Sequence, residues 1–231
     1  MLTSLQTQSL SELLMYLANK GGDFSRIPAL AELSRQLGIS ISCLREQLEV
    51  ARSLGIVEVK PKTGIRRLPY DFHSTLRLSL AYAMSIDENA FDAFSDLRNK
   101  IETSYWYQAV SLTTSDERNL LMELVVRAEE KIHRVPPQIP HQEHREFHLL
   151  IYRRLGNPFV LGILESYWEL YESVGLNTVV DVLYLEKVWS YHRRMAVAIL
   201  AGNYDQGYEI MQEHLMLINQ LVKPKKKQMF E

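Results

Sequence analysis

His144 and His148 stand four residues apart in the stretch His-Gln-Glu-His-Arg-Glu-Phe-His. On a helix their imidazoles therefore share one face, a turn apart, a spacing at which two rings can hold one metal ion. Two more histidines lie downstream, each within an apolar stripe of helical period. His192 belongs to Leu185, Val188, His192, Met195, Ala196 and Ile199, and His214 to Ile210, Met211, His214, Leu217, Ile218 and Leu221. A single histidine on such a face is ordinarily a core residue with a satisfied hydrogen bond. Four of them on three inward faces are better satisfied together, by one ion. The expectation is that His144, His148, His192 and His214 meet around a divalent transition metal. Imidazole donors favour zinc or nickel, with copper and iron behind them, over magnesium or calcium.

An all-histidine donor set leaves the charge of the ion uncompensated, so an open coordination position would attract an anion such as a small carboxylate effector. Arg98, on an inward-facing helix, could pair bidentately with that carboxylate. One turn on, Glu102 offers Arg98 a structural ion pair instead, and the spacing leaves both readings open. Tyr105, Trp106 and Tyr107 could wall the pocket, although aromatic residues at helical spacing are commonly core. His141 is a spare ligand or an exposed first-turn residue, and His73 and His133 sit near helix ends with no partner implied by spacing.

Histidine pairs also serve metal hydrolases. The zinc protease motif, however, needs a glutamate directly after the first histidine to act as general base. Arg145 stands there, and Glu146 lies about 200° round the helix from His144. No nucleophile elbow, phosphate-binding glycine loop or paired cysteine motif accompanies the histidines, so the sequence argues against catalysis.

The elements that must position these residues are helical. Beyond Pro69-Tyr70-Asp71 the apolar residues recur only at helical spacing, predicting helices near 72–86, 88–111, 115–133, 141–155, 158–174, 179–201 and 204–222. Pro140 and Gly156-Asn157-Pro158 bracket the helix that carries His144 and His148. Ser115, with Glu117 nearby, and Asp205 are expected N-terminal signals. The run Lys223-Pro224-Lys225-Lys226-Lys227 reads as a frayed, solvated end.

Residues 1–70 read differently. A helix over 4–19, a short helix after Pro28, a break at Gly38, and a third helix capped by Ser40 are followed by a strand at 56–60, a turn at 61–64 and a returning strand at 65–68. Three helices and a hairpin is the order of a winged helix-turn-helix. The third helix would enter a major groove with Ser40, Ser42 and Arg45 exposed. Lys60, Lys62, Thr63, Gly64, Arg66 and Arg67 would form a basic hairpin able to meet phosphates or a minor groove. The fold expected is mainly α: a DNA-binding domain over 1–70 and an all-helical metal- and effector-binding domain over 71–231.

Composition agrees. The 231 residues carry a net charge of −2, but residues 1–70 hold nine Lys and Arg against six Asp and Glu, while the remainder is acidic. A mildly basic head on an acidic body suits nucleic-acid contact confined to the head. Cys43 is the single cysteine, which precludes an intrachain disulfide. No apolar run reaches the ~18 residues of a membrane span, and the N-terminus lacks the pattern of a signal peptide. The expected setting is the cytoplasm, without membrane contact.

Several stretches carry a family resemblance. Ile27-Pro28-Ala29-Leu30-Ala31-Glu32-Leu33-Ser34, Leu37-Gly38-Ile39-Ser40, Leu44-Arg45-Glu46-Gln47-Leu48 and Leu54-Gly55-Ile56-Val57-Glu58-Val59 resemble the DNA-binding domain of GntR-type bacterial transcription regulators. Phe147-His148 with Gly156-Asn157-Pro158, then His192-Arg193-Arg194-Met195 with Gly202-Asn203 and Met211-Gln212-Glu213-His214, resemble the FadR-like ligand-binding domain called FCD, as does Leu97-Arg98 with Ile101-Glu102. The resemblance implies a homodimer reading two half-sites of a double-stranded DNA operator. It also implies a metal site of one Asp and three His, with His148, His192 and His214 at the histidine positions and His144 in place of the Asp. The family's usual arginines are replaced by Ile41 and Ala31, which implies either a changed base preference or a greater reliance on phosphates and shape, since one bidentate arginine–guanine pair is worth about 1–3 kcal/mol of discrimination.

Overall fold

The structure is a computed structural model that describes residues 10–19, 27–61, 64–87, 89–173 and 181–229, with side chains through Leu217 in the last of these segments. The chain divides into two compact units, residues 1–81 and 82–231.

The first unit begins with α1 (Glu12–Asn19), α2 (Leu30–Leu37) and α3 (Ile41–Ser53). Gly38 ends α2 in the left-handed region at φ 69°, and Ser40 starts α3 by accepting the Cys43 backbone N–H at 3.2 Å. Residues spaced three and four apart then face inward: Leu13, Leu17, Leu33, Leu44, Leu48 and Ala51 form one core with Ile27, Val57 and Ile65. The Gln47 side chain ties two helices together by accepting the Leu13 backbone N–H at 2.9 Å. The antiparallel hairpin of β1 (Val57–Lys60) and β2 (Gly64–Arg67) pairs Val57 with Arg67 and Lys60 with Gly64. That register puts Val57, Val59 and Ile65 on one face, where Val57 and Ile65 are buried and Val59 is exposed, and Arg66 on the other. The expected order of three helices and a hairpin is therefore present. Residues 4–9 of the first predicted helix, and Lys62 and Thr63 of the turn, lie outside the described residues. The helix α4 (Phe72–Ile86) follows and contains no fully buried residue.

The second unit is helical throughout its described residues: α5 (Ala90–Leu112), α6 (Ser115–Ile132), α7 (His141–Tyr152) with a 3₁₀ turn at Arg153–Leu155, α8 (Pro158–Ser173), α9 (Val182–Leu200) and α10 (Tyr204–Met229). A reciprocal capping box opens α6, formed by Thr114 and Glu117. The cap is thus Thr114 and not Ser115. Asp181 caps α9, and Asn203, two residues before Asp205, accepts the Gln206 N–H at the start of α10. The last helix runs on to Met229, past the stop expected at 222. Lysine is a good helix former, and the backbone stays helical through Pro224.

α7 packs against α5, α6 and α8, while α9 joins α6 to α10 and α5 touches α10. The second half of α7, Phe147 to Tyr152, is buried on all sides, which makes it the central helix. The same core holds Trp106, Leu121, Val125, Trp168, Val188, Trp189, Met195 and Ile199, all with under 3% exposure. Burying each large apolar side chain contributes about 1.5–3 kcal/mol, enough to carry several polar groups inward with it. Among the described residues no helix is long and apolar enough to cross a membrane.

Candidate functional site

Among the polar groups carried inward are the four histidines named from the sequence. α7 presents His144 and His148 on one face, α9 presents His192 and α10 presents His214, all buried. One nitrogen from each ring lies within 4.8 Å of the others. The His148 and His192 Nε2 atoms are 3.2 Å apart. Two imidazole nitrogens bound to one ion at about 2.0–2.1 Å stand roughly 3.3 Å apart in a tetrahedral shell, so the observed edge matches a shared ligand shell. His141, at the head of α7, is outside the cluster and half-buried.

The hydrogen-bond accounting supports the same reading. Both ring nitrogens of His214 and the Nε2 of His144 are buried with no partner, a costly state for polar atoms removed from water. His192 is oriented by donating Nδ1–H to the Val188 carbonyl at 2.9 Å, which leaves its Nε2 lone pair facing the cluster. Burial, reinforced by mutual repulsion and by the Arg98 charge, holds His144, His148 and His214 well below the ordinary imidazole range. Burial lowers His192 to about 3, although its bond to Val188 opposes the shift. All four rings are thus neutral near pH 7, the form that ligates metal. The donor set and its unpaired nitrogens fit a divalent transition ion held by His144, His148, His192 and His214.

Behind His148 stands a buried pair that the sequence showed only in part. Arg98 and Glu102 are both fully buried on α5, with Arg98 Nη2 2.9 Å from Glu102 Oε1. The contact is close enough for an ion pair, yet its geometry is not that of a hydrogen bond: both Glu102 oxygens and Arg98 Nε lack a hydrogen-bond partner. Glu102 Oε1 is also 3.2 Å from His148 Nδ1. Burial pushes the Glu102 carboxyl up to about 7 against the opposing pull of Arg98. The arginine lies over the rings of Tyr167 and Trp168, at 4.8 and 5.3 Å.

The rings enclosing the cluster are not those expected. Trp106 donates to the Tyr204 carbonyl at 2.9 Å, and Tyr107 stacks on Tyr208 at the surface. Phe147, Trp168 and Trp189 pack on the histidines instead, with centroids 4.6–4.7 Å from the nearest imidazole. Trp189 was within reach of sequence reasoning, since it lies three residues before His192. A cavity bounded by Pro140, His141, His144, Tyr171 and Trp189 has a volume of about 20 Å³, room for one water.

The other predicted site residues lie in the first unit. Ser40, Ser42 and Arg45 are exposed at the N-terminal end of α3. The Ser40 hydroxyl oxygen is engaged as the helix cap, and Arg45 makes no ion pair among the described residues. Gly64 takes φ 79° at the start of β2, and Arg66 is exposed beside it. Glu58 sits between the hairpin cations, 2.8 Å from Lys60 and 3.9 Å from Arg66, and offsets part of their charge.

Comparison with known proteins adds four findings. Residues 93–216 match the family described as the FCD domain. The chain is 25% identical over 206 residues to a putative L-lactate dehydrogenase operon regulatory protein of Escherichia coli (strain K12), covering 86% of this chain and 78% of that protein. It is 23% identical over 199 residues to YieP, an uncharacterized HTH-type transcriptional regulator of the same organism, covering 80% and 81%. Among solved structures, GntR of Streptococcus agalactiae shares the fold with a TM-score of 0.63 and 19% identity, over 90% of this chain and 95% of that one.

Proposed function

The chain belongs to the FCD-domain family of GntR-type, FadR-like transcription regulators, and from that premise we propose that it grips an operator through its first unit under the control of a small carboxylate effector at a histidine-held metal. The observation that carries the metal reading is the set of four buried, neutral imidazoles with ligand atoms within 4.8 Å and three unpaired nitrogens among them. When bound, a divalent transition ion supplies a fixed positive charge and a Lewis-acidic position at which an anion can replace water.

The chain's own residues do the rest. Val188 fixes the tautomer of His192, and Phe147, Trp168 and Trp189 exclude water from the rings. Arg98 offers the planar fork that matches a carboxylate, and in this structure it already faces one, that of Glu102. In the first unit Ser42 and Arg45 face bases, while Gly64, Arg66 and the neighbouring Lys62 and Thr63 hold the backbone, with Ser40 presenting the helix start. A homodimer would set two such heads on two half-sites. The relatives are named as regulators and not as enzymes, and Glu146 is paired with Arg153 away from the histidines.

A second reading has its own observation. A cavity of about 20 Å³ beside His144 has room for a water and not for an effector. Either the effector requires the unit to open, which would couple binding to a change of shape, or the metal is structural and the effector binds elsewhere. Operator duplexes selected from a random pool, followed by fluorescence anisotropy, separate the two. L-lactate and acetate are the first probes, because one relative is named for an L-lactate dehydrogenase operon. The proposal expects a carboxylate to shift DNA affinity about 5-fold or more in the zinc form and to do nothing after chelation or in Arg98→Ala. A response that survives chelation and Arg98→Ala favours the second reading.

A further inference from the structure

His148 Nδ1 has two neighbours that require opposite things of it. Arg98 Nη2 lies 2.9 Å away and can only donate. Glu102 Oε1 lies 3.2 Å away and, as a carboxylate, can only accept. A neutral imidazole has one N–H, so Nδ1 satisfies one of them at a time. All three side chains have 0% exposure, so water does not relieve the conflict.

The far side of the ring gives each choice its meaning. His192 Nδ1 donates to Val188, so its Nε2 is an acceptor, and it lies 3.2 Å from His148 Nε2. With Arg98 donating to Nδ1, His148 carries its proton on Nε2 and donates to His192. The chain from guanidinium through two imidazoles to the Val188 carbonyl is then complete, and neither Nε2 is open to a cation. With Glu102 accepting from Nδ1, His148 Nε2 is bare. Two lone pairs then face each other across 3.2 Å, an arrangement that repels until a cation lies between them.

We propose that Arg98 and Glu102 are alternative partners of His148, Arg98 in the metal-free protein and Glu102 in the metal-loaded one, so that His148 changes from the Nε2–H to the Nδ1–H tautomer as the site fills. The proton balance is closed, since Nε2 gives up one proton and Nδ1 gains one. Glu102 is then a positioning residue: it fixes the ligating tautomer and supplies, from behind His148, the negative charge that four neutral imidazoles lack. Arg98 loses its bond to the ring in the same exchange and is left, over Tyr167 and Trp168, as the cation that meets an incoming anion. This inference rests on the metal reading above.

The test uses the full chain labelled with ¹⁵N-histidine and zinc alone as probe. Long-range ¹H–¹⁵N spectra are expected to show His148 as Nε2–H without zinc and Nδ1–H with it; the same tautomer in both states overturns the proposal. In competition with a chromogenic chelator, Glu102→Gln, which keeps the shape and removes the charge, is expected to bind zinc about 10–100-fold more weakly than wild type. Wild type that binds zinc, with Glu102→Gln equally tight, overturns this inference and leaves the metal reading standing. Wild type that takes up no zinc overturns both. If Glu102→Gln does not fold, the wild-type spectra decide alone.

Discussion

Four imidazoles in one buried cluster carry an acid-sensitive cost. Each histidine is held neutral below its ordinary value of 6.5, with His192 at about 3. Such a group contributes stability that is complete above 6.5 and is lost as pH falls toward its folded value. Glu102 acts oppositely: raised from 4.5 to about 7, it contributes stability that is complete below 4.5 and is lost as pH rises through 7. Four groups outweigh one, so the metal-free protein should melt at a lower temperature at about pH 5.5 than at about pH 7.5. Circular dichroism in the presence of a chelator checks this, and an unchanged or higher melting temperature at the lower pH would refute it. At the same scale the histidines were legible in the sequence, because i, i+4 spacing and apolar stripes are local signals. The place of Glu102 behind His148 was not, since it depends on how α5 packs against α7. Trp168 was hidden for a similar reason, on a helix that carries no histidine to draw attention to it.

Helix starts and close approaches decide the elements. The run Thr113-Thr114-Ser115 offers three side chains able to cap, of which the sequence reading favours Ser115; Glu117 instead selects Thr114 by completing the box with it. Thr114→Ala should cost about 1 kcal/mol in urea unfolding, whereas Ser115→Ala should cost far less. Gly207 presents a sharper case. Alanine is the better helix former by about 1 kcal/mol, but a Cβ at this position would come within 2.7 Å of the Trp106 ring. That ring is anchored by its bond to Tyr204, so Gly207→Ala should destabilise by about 1–3 kcal/mol through overpacking. A gain in stability would show that the α5–α10 contact is looser than the geometry indicates. Element order and type were legible in both units because helical and alternating periods do not resemble each other. The extension of the last helix to Met229 was not, since Pro224 reads as a stop.

Across the whole molecule, the two units divide the work proposed for a regulator. Arg45 stands exposed at the head of α3 without an ion pair among the described residues, so Arg45→Ala should weaken specific operator binding with little effect on the fold. If Arg45 reads a base, discrimination should fall by about 1–3 kcal/mol; if it holds only phosphate, specific and nonspecific duplexes should lose affinity alike, with a shallower salt slope. Unchanged operator affinity would remove it from the interface. The winged helix-turn-helix order was legible from glycine breaks and the change of period after Gly55; the partial neutralisation of the hairpin by Glu58 was not, because it depends on the register that sets Glu58 against Arg66. The central claim is that the second unit is a metal-holding sensor, and elemental analysis of the purified chain after refolding with zinc available tests it most directly. The account predicts about one ion per chain for a single four-ligand site, sharply reduced in His148→Ala and His214→Ala; wild-type protein that holds no metal would contradict it.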